Sequence, residues 1–512
     1  MNSTVPSQTV MGAETEYGFS LIKTGAGAVD SSIASRRLIE IALRRLPHLP
    51  DSNGIGLFLS NGSRVYLDCG HVELATPEVT SPLDLVRYQA AGDQILAGLA
   101  AELGQQIEAD PVLFKCCVDY DCGSTFGAHE SYGFRGNRSS LPQQILPFLA
   151  SRLVIAGQGG FSNLSPGLEF TLSPRSVHLV HDISEDSTSS RGLFNTRDES
   201  LCGEPGYHRI HLLHGENLCS RSGSFMRFGT TALVLKMAEA GVKPTNGVAM
   251  VSPLAALHLF ASDPTLKAAA PLADGRQATA LDVQRHYVGM AKDRLGEPWM
   301  PAWAEPVVSA WERVLDRLEE SPETMTRCLD WKIKHCLYTR HIQRRGFTME
   351  EVESFNGRLA NGGAKRSAAK FLALRAELLE IDVRYSQLGA RGVFEQLQQA
   401  GALEDDLLLP GSCSVGDAIE NPPQGTRAYP RGVAVRELAG NSRQYRCDWD
   451  GIWDRQTGRH LDLCQPCRTD VQWTEGRPSA CREGLAEFDE LDVADNVRAF
   501  LMRGRLAERR AE

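Results

Sequence analysis

MGAETEYG at 11–18 and NGSRVYLDCGHVELATPE at 61–78 are the two stretches on which the reading of this chain turns. The first is strand-like, and its alternation puts Glu14 and Glu16 on one face. Two carboxylates side by side on a core strand repel each other unless a positive charge lies between them. A divalent cation supplies it, and hard oxygen donors suit magnesium. An exposed edge strand with two solvated glutamates satisfies the same pattern. The second stretch opens with Asn61-Gly62, a strong hairpin-turn signal. The strand after it alternates, so Arg64, Tyr66 and Asp68 share one face while Val65 and Leu67 share the other. Arg64 suits a bidentate grip on phosphate, Glu73 a metal, and Asp68 a base or nucleophile.

Two further clusters lie in the first half of the chain. Thr125-Phe-Gly-Ala-His129-Glu130 leads from a glycine-bearing turn into a histidine and a glutamate, suited to the edge of a metal or phosphate site. A lone histidine is also a common satisfied core or loop residue. Asn195-Thr-Arg-Asp-Glu199 precedes a strand-like Tyr207–Leu213, in which Arg209 and His211 alternate onto one face. That basic pair suits a triphosphate or a substrate carboxylate, and equally a solvated strand face. Together the clusters form an inventory for magnesium-nucleotide chemistry without a P-loop, because no G-x-x-x-x-G-K-[ST] occurs. No G-x-G-x-x-G after a strand, no H-E-x-x-H and no G-x-S-x-G elbow occurs either.

Helical spacing predicts helices over Ser31–Leu46, Pro82–Leu103, Leu141–Ile155, Ser224–Ala240, Ala280–Arg294, Trp303–Leu318, Thr324–Arg345, Lys365–Glu380 and Arg391–Ala400. Strands are expected at Val10–Leu21, Val112–Cys117, Phe170–Val180 and Tyr207–Leu213, with a β-like segment near Tyr445–Trp453 and a last helix over Asp492–Arg509. The polar stretch Gly401–Asp417 is read as a boundary between a large domain, 1–405, and a small one, 406–512.

The chain has 512 residues, of which 42% are hydrophobic and 23% charged, a globular composition long enough for more than one core. Its net charge of -10 disfavours nucleic acid as a partner, since phosphate contacts need a basic face. No apolar run long enough for a membrane span is seen, and Met1–Val10 lacks the apolar core of a signal peptide, so a cytoplasmic enzyme is expected. The 13 cysteines are then reduced thiols. Cys116, Cys117 and Cys122 read as small buried residues. Cys464-x-x-Cys467, with Cys447 and Cys481, has irregular spacing for structural zinc.

The motifs in order resemble a known family. Met11–Gly18, Asn61–Asp68 with His71-Val-Glu73, Thr125–Glu130, Asn195–Glu199, Arg209-Ile-His211, Gly229–Leu235, Leu272–Arg276, Asp330-Trp331, Asn421-Pro-Pro423, Thr426-Arg-Ala428 and Asp448-Trp449 follow the sequence of motifs in the Pup–protein ligase and Pup deamidase/depupylase family, the proteasome accessory factor A family. The resemblance implies an α+β, glutamine-synthetase-like fold: an antiparallel sheet cradling Mg-ATP, backed by helices, with a small C-terminal domain. It implies Glu14, Tyr66, Glu73 and His211 as magnesium ligands with Glu16 close by, Arg64, Thr76, Arg209 and Trp449 as ATP contacts, and Asp68 as the catalytic aspartate. The expected partners are a Pup-like modifier and lysine-bearing proteins, with a link to a bacterial proteasome system and none to nucleic acid or membrane.

Two branches of the family are open to this sequence. Only 42 residues, Phe19–Ser60, separate the first two motifs, and absence of the depupylase's inserted loop favours a ligase. Asp68-x-x-His71, Thr76-Pro-Glu78, Ser81-Pro-Leu-Asp84, Asp263-Pro-Thr-Leu266 and Asn421-Pro-Pro423 resemble the depupylase. Lys115-Cys-Cys117, His71-Val-Glu-Leu74 and Arg197-Asp-Glu-Ser-Leu201 depart from both. A ligase is the favoured expectation. A depupylase, a small-molecule carboxylate–amine ligase and a non-catalytic modifier-binding homologue are the alternatives.

Overall fold

The computed structural model describes residues 7–25, 27–360, 368–411 and 413–475. Cys481 and the expected helix over Asp492–Arg509 lie outside the described residues. The organising element is β1, Met11–Lys23. It is joined in one sheet by β2 (Gly27–Val29), β3 (His48–Pro50), β4 (Gly56–Leu59), β5 (Arg64–Asp68), β6 (His71–Ala75), β7 (Asp110–Phe114), β8 (Ala128–Phe134) and the strand His208–Leu212. From one edge the order is His208–Leu212, β8, β1, β6, β5, β4, β3, and every neighbouring pair is antiparallel. The second half of β1 pairs with β2 and β7 instead. The expected hairpin is β4–β5. Gly62 in its turn has φ +86°, a conformation that favours glycine, and Asn61 Oδ1 accepts from the Ser63 amide at 3.0 Å.

One face of this sheet is apolar and covered. Tyr17, Val65, Leu67, Val72 and Leu74 pack with Leu38, Ile39 and Ala42 of α1 (Ser31–Arg45) and with Ile95, Leu96 and Leu99 of α2 (Pro82–Ile107). Both helices start where the sequence provides a cap. Asp30 accepts from the amides of Ser32 and Ile33. Ser81 accepts from Asp84, with Pro82 in the first turn. Past the sheet the chain is mainly helical, and Phe148, Tyr287 and Trp311 meet edge to face at its centre. The C-terminal strands Tyr445–Asp448, Gly451–Asp454, His460–Asp462 and Trp473–Thr474 form a small antiparallel sheet. It docks on the β3–β4 edge, where Leu49 and Phe58 share a cluster with Val435, Cys447, Ile452 and Leu463. No helix among the described residues is long and apolar enough to cross a membrane.

Three local expectations are corrected. Phe170–Val180 is not one strand: only Phe170–Thr171 is extended, and a short 3-10 turn at Ser176–His178 precedes a separate strand, His181–Ser184. Pro174, which lacks an amide to donate, sits at the interruption. Thr324–Arg345 is not one helix. A 3-10 turn, Pro322–Arg327, ends before the helix Asp330–Arg344, because the Asp330 carboxylate is engaged by the Cys219 and Ser220 amides. Cys116 and Cys117 are buried as expected, but Cys122 is exposed, in a turn held by the Asp119 carboxylate.

The covered face sets a stability prediction. Leu74 is buried against Gly92 of α2. Leu74→Ala should cost about 2–5 kcal/mol, read as a lowered urea midpoint; a cost under about 1 kcal/mol would mean the sheet and helices are not close-packed there.

Candidate active site

The other face of the sheet carries the chemistry. Directly opposed residues of antiparallel strands share a face. Glu16 lies opposite Glu73, and Glu73 opposite Tyr66. Glu14 lies opposite His129 on one side and Ala75 on the other. Asp68 pairs with His71 across the Cys69-Gly70 turn that joins β5 to β6. His211 lies opposite Ser131, and Arg209 is two residues before it. Period-2 alternation over five strands therefore brings Glu14, Glu16, Arg64, Tyr66, Asp68, Glu73, Arg209 and His211 to one surface, with His71 and His129 among them.

The acids dominate this surface. Glu73 is buried, and its carboxyl is pushed well above the usual range, first by burial and then by the charges of Glu14 and Glu16. Glu14 and Glu16 go the other way despite burial, which opposes the shift. Glu14 is held down by a hydrogen bond from His129 and by His211 and Arg209. Glu16 falls to about 2, through His71, His129 and the Gly127 amide. The contacts are close: His129 Nδ1 is 3.1 Å from Glu14 and 4.0 Å from Glu73, His71 Nδ1 is 3.5 Å from Glu16, and Arg209 Nη2 is 3.4 Å from Glu14. Burial and the Arg209 charge push His211 well below its ordinary value, which favours a neutral imidazole able to ligate. Tyr66 hydrogen-bonds Glu73, and its phenol is held protonated by burial and the surrounding carboxylates.

These donors fit a hard dication. Two groups have ligand atoms that lie within 4.8 Å of one another: Glu14, His129 and His211, and Glu16, Asp68 and Glu73. Glu73 Oε2 is buried with no hydrogen-bond partner among the described residues. An unsatisfied carboxylate oxygen facing two more carboxylates is costly, and a cation relieves that cost directly.

Cavities open on both sides of the carboxylates. The first is lined by Glu14, Thr76, Tyr132, Arg209, Arg427 and Trp449 among others. Thr76 Oγ1 accepts from the Ala13 amide at 3.0 Å, tying the ends of β6 and β1. Trp449 stands edge-on to Phe58, with ring centroids 5.0 Å apart, and the Arg431 guanidinium lies 4.7 Å over its ring. Behind it Glu78 takes Arg427 at 2.7 Å and also Arg431, and their charges overcome burial to hold Glu78 at about 2. Arg64 is already engaged: it pairs with Asp51 and lies 4.1 Å over the Tyr66 ring. The second cavity, about 1120 Å³, is lined by Glu16, Asp68, His71 and His129 and by loop residues beyond them. Asp68, exposed at the end of β5, faces it.

Sequence reasoning placed the acids but understated His129, whose importance depends on its register with Glu14. It did not single out Arg427 and Arg431; the signal available was Thr426-Arg-Ala428, with no hint of its partner. Glu130 is a correction. Its side chain points to the covered face, where it pairs with Arg152 at 2.8 Å and accepts from Tyr132, so it takes no part in the site.

Comparisons with known proteins identify the family. Residues 9–453 match the family model described as Pup-ligase protein. The Pup–protein ligase of Rhodococcus erythropolis is 32% identical over 470 residues, covering 89% of this chain and 95% of that protein. That of Mycobacterium ulcerans is 32% identical over 466 residues, covering 89% and 95%. Among solved structures, the Pup ligase PafA in complex with ADP superposes with TM-score 0.64 at 25% identity, covering 92% of this chain and 93% of that one. The complex between the prokaryotic ubiquitin-like protein Pup and its ligase PafA gives TM-score 0.72 at 24% identity, covering 98% and 94%, a likeness of fold. On the matched span and on identity sustained along nearly the whole sequence, this chain belongs to the Pup-ligase family.

Proposed function

We propose that this chain is an ATP- and magnesium-dependent ligase that joins the C-terminal glutamate of a Pup-like modifier to lysines of target proteins. The observation that carries the reading is one row of carboxylates shared by two cavities. Glu14 faces the first, Glu16 and Asp68 face the second, and Glu73 stands opposite Glu16 on the neighbouring strand. The relatives named above are Pup–protein ligases, which favours the ligase over the depupylase branch, and one solved neighbour, itself a Pup ligase, carries ADP, which supports nucleotide use.

In this reading the first cavity takes the nucleotide. Trp449 offers its ring to the base, and Thr76 and Arg209 approach the phosphates. Arg64, fixed by Asp51, adds its charge and holds Tyr66 in place. Glu14, Glu73, Tyr66 and His211, with Glu16 beside them, would hold magnesium, which when bound screens phosphate charge and makes the γ-phosphorus more electrophilic. His129 and Arg209 keep Glu14 ionised, which secures its place as a ligand.

The modifier's terminal glutamate enters from the second cavity. Its carboxylate oxygen attacks the γ-phosphorus, ADP leaves with the bridging oxygen, and an acyl phosphate results. The lysine amine then attacks the acyl carbon, phosphate leaves with the C–O electron pair, and the amine proton passes to Asp68. A carboxylate at the end of a strand, open to the second cavity, is placed for that proton. The cytoplasm is the expected place of action, and the conjugates would feed a bacterial proteasome system.

Three outcomes test the reading. Purified protein with ATP, magnesium, a Glu-ended Pup-like modifier and a lysine-bearing target should form conjugate with ADP release. Cleavage of a preformed conjugate with little ATP consumed would instead place the chain in the depupylase branch. Asp68→Asn should lower conjugate formation by about 10²–10⁴-fold while ATP affinity stays within about twofold; retained activity would remove Asp68 from the mechanism. Glu14→Gln should raise the magnesium required for half-maximal turnover by about tenfold or more, and an unchanged magnesium titration would exclude Glu14 as a ligand.

A further inference from the structure

A third, much smaller cavity shares no lining residue with the two beside the carboxylate row. It measures about 20 Å³ and is lined by Arg152, His214, Glu216 and Arg227, and otherwise largely by aliphatic side chains. Arg152 is engaged on several sides. Its Nη1 donates to Glu130 at 3.0 Å and to Thr231 at 2.7 Å, and its Nη2 donates to Glu130 at 2.8 Å and to His214 Nε2 at 2.9 Å.

That last contact fixes the histidine. A guanidinium can only donate, so His214 Nε2 accepts. Burial, then the charges of Arg152, Arg175 and Arg227, hold His214 well below its ordinary value, so the ring is neutral and its one proton sits on Nδ1. This N–H is buried and has no hydrogen-bond partner among the described residues. Arg227, 1% exposed, donates from Nη1 to the Glu216 carbonyl, but its Nε and Nη2 have no hydrogen-bond partner among the described residues either. Glu130 Oε1 is 3.8 Å from Arg227 Nε, close enough for ionic attraction and too far for a hydrogen bond. The Glu216 carboxylate is already used, by the amides of Gln158 at 2.7 Å and Arg175 at 3.1 Å and by the Ser173 hydroxyl at 2.9 Å.

The three unsatisfied side-chain atoms of the lining are therefore all donors. Charge points the same way. Three guanidiniums, of Arg152, Arg175 and Arg227, meet two carboxylates, of Glu130 and Glu216, and burial pushes Glu216 above its ordinary value and weakens its negative charge. A water molecule would accept from these donors but bring two protons of its own, and the carboxylate on this wall is taken. A small anion accepts from all of them and offsets the excess charge.

We propose that this cavity binds one monatomic anion, chloride being the common one, between the Nδ1–H of His214 and the guanidinium of Arg227. Space of about 20 Å³ admits one particle near the size of water and excludes sulfate or phosphate. The anion ties the helix Arg221–Glu239 to the segment 214–216 that follows the strand His208–Leu212. The site is independent of the ligase reading, and its effect is on stability.

The test uses the full chain. Crystals grown in bromide should show one anomalous peak between His214 and Arg227. In solution, replacing gluconate with chloride at constant ionic strength should raise Tm by about 2 °C or more, and the rise should saturate. Arg227→Met should abolish the chloride dependence. Arg227→Lys, which keeps the charge but loses the fork of donors, should raise the half-maximal chloride concentration by about tenfold. A water in place of bromide would overturn the proposal, as would equal Tm in chloride and gluconate, or an unchanged chloride dependence in folded Arg227→Met. The first two outcomes are read on the unchanged protein, so they decide even if neither variant folds.

Discussion

Three glutamates pressed against one another are the constraint around which the molecule is arranged. Glu14, Glu16 and Glu73 stand on adjacent strands at matched register, close enough that Glu73 resists ionisation while its neighbours are forced into it. Such a cluster opposes folding unless the rest of the chain compensates. Compensation comes from a partial ring of basic groups, His71, His129 and Arg209, and from a close-packed apolar layer on the covered face. The imbalance that remains is what makes the surface a site: it has affinity for cations built into the strand pairing.

The carboxylate row borders two cavities, which in the proposed reaction would receive nucleotide and acceptor separately. Each cavity has its own recognition chemistry. One wall holds an indole against a guanidinium that is already neutralised by Glu78. The other includes Arg175 and Arg191, which donate to the Gly215 and Ser187 carbonyls.

Much of this was legible in the sequence. Glu14 and Glu16, and Arg64, Tyr66 and Asp68, were placed on single faces by alternation alone, because strand geometry is local. The hairpin at Asn61-Gly62 and the helix starts at Asp30 and Ser81 were equally local. What escaped were features fixed by pairing between distant segments. His129 gains its role from register with Glu14, 115 residues away. Glu130, its neighbour, loses any role through the same alternation. The break before Asp330 follows from amides at 219 and 220, so periodicity over 324–345 could not show it. Arg175 and Arg191 flank short irregular segments, where no pattern predicts which way a side chain points.

The Glu78–Arg431 pair spans 353 positions of sequence. Everything chemical in the carboxylate row is encoded before residue 212, yet the indole wall is put in place by residues after 426. A nascent chain that has emerged only as far as its helical middle already holds its clustered acids but lacks the indole wall beside them. It also leaves Glu78 in the interior without its counter-charges, a state that disfavours closing the strand edge early. The wall around Trp449 is therefore assembled only after the segment from 426 to 449 has been made, well after the acids of the row.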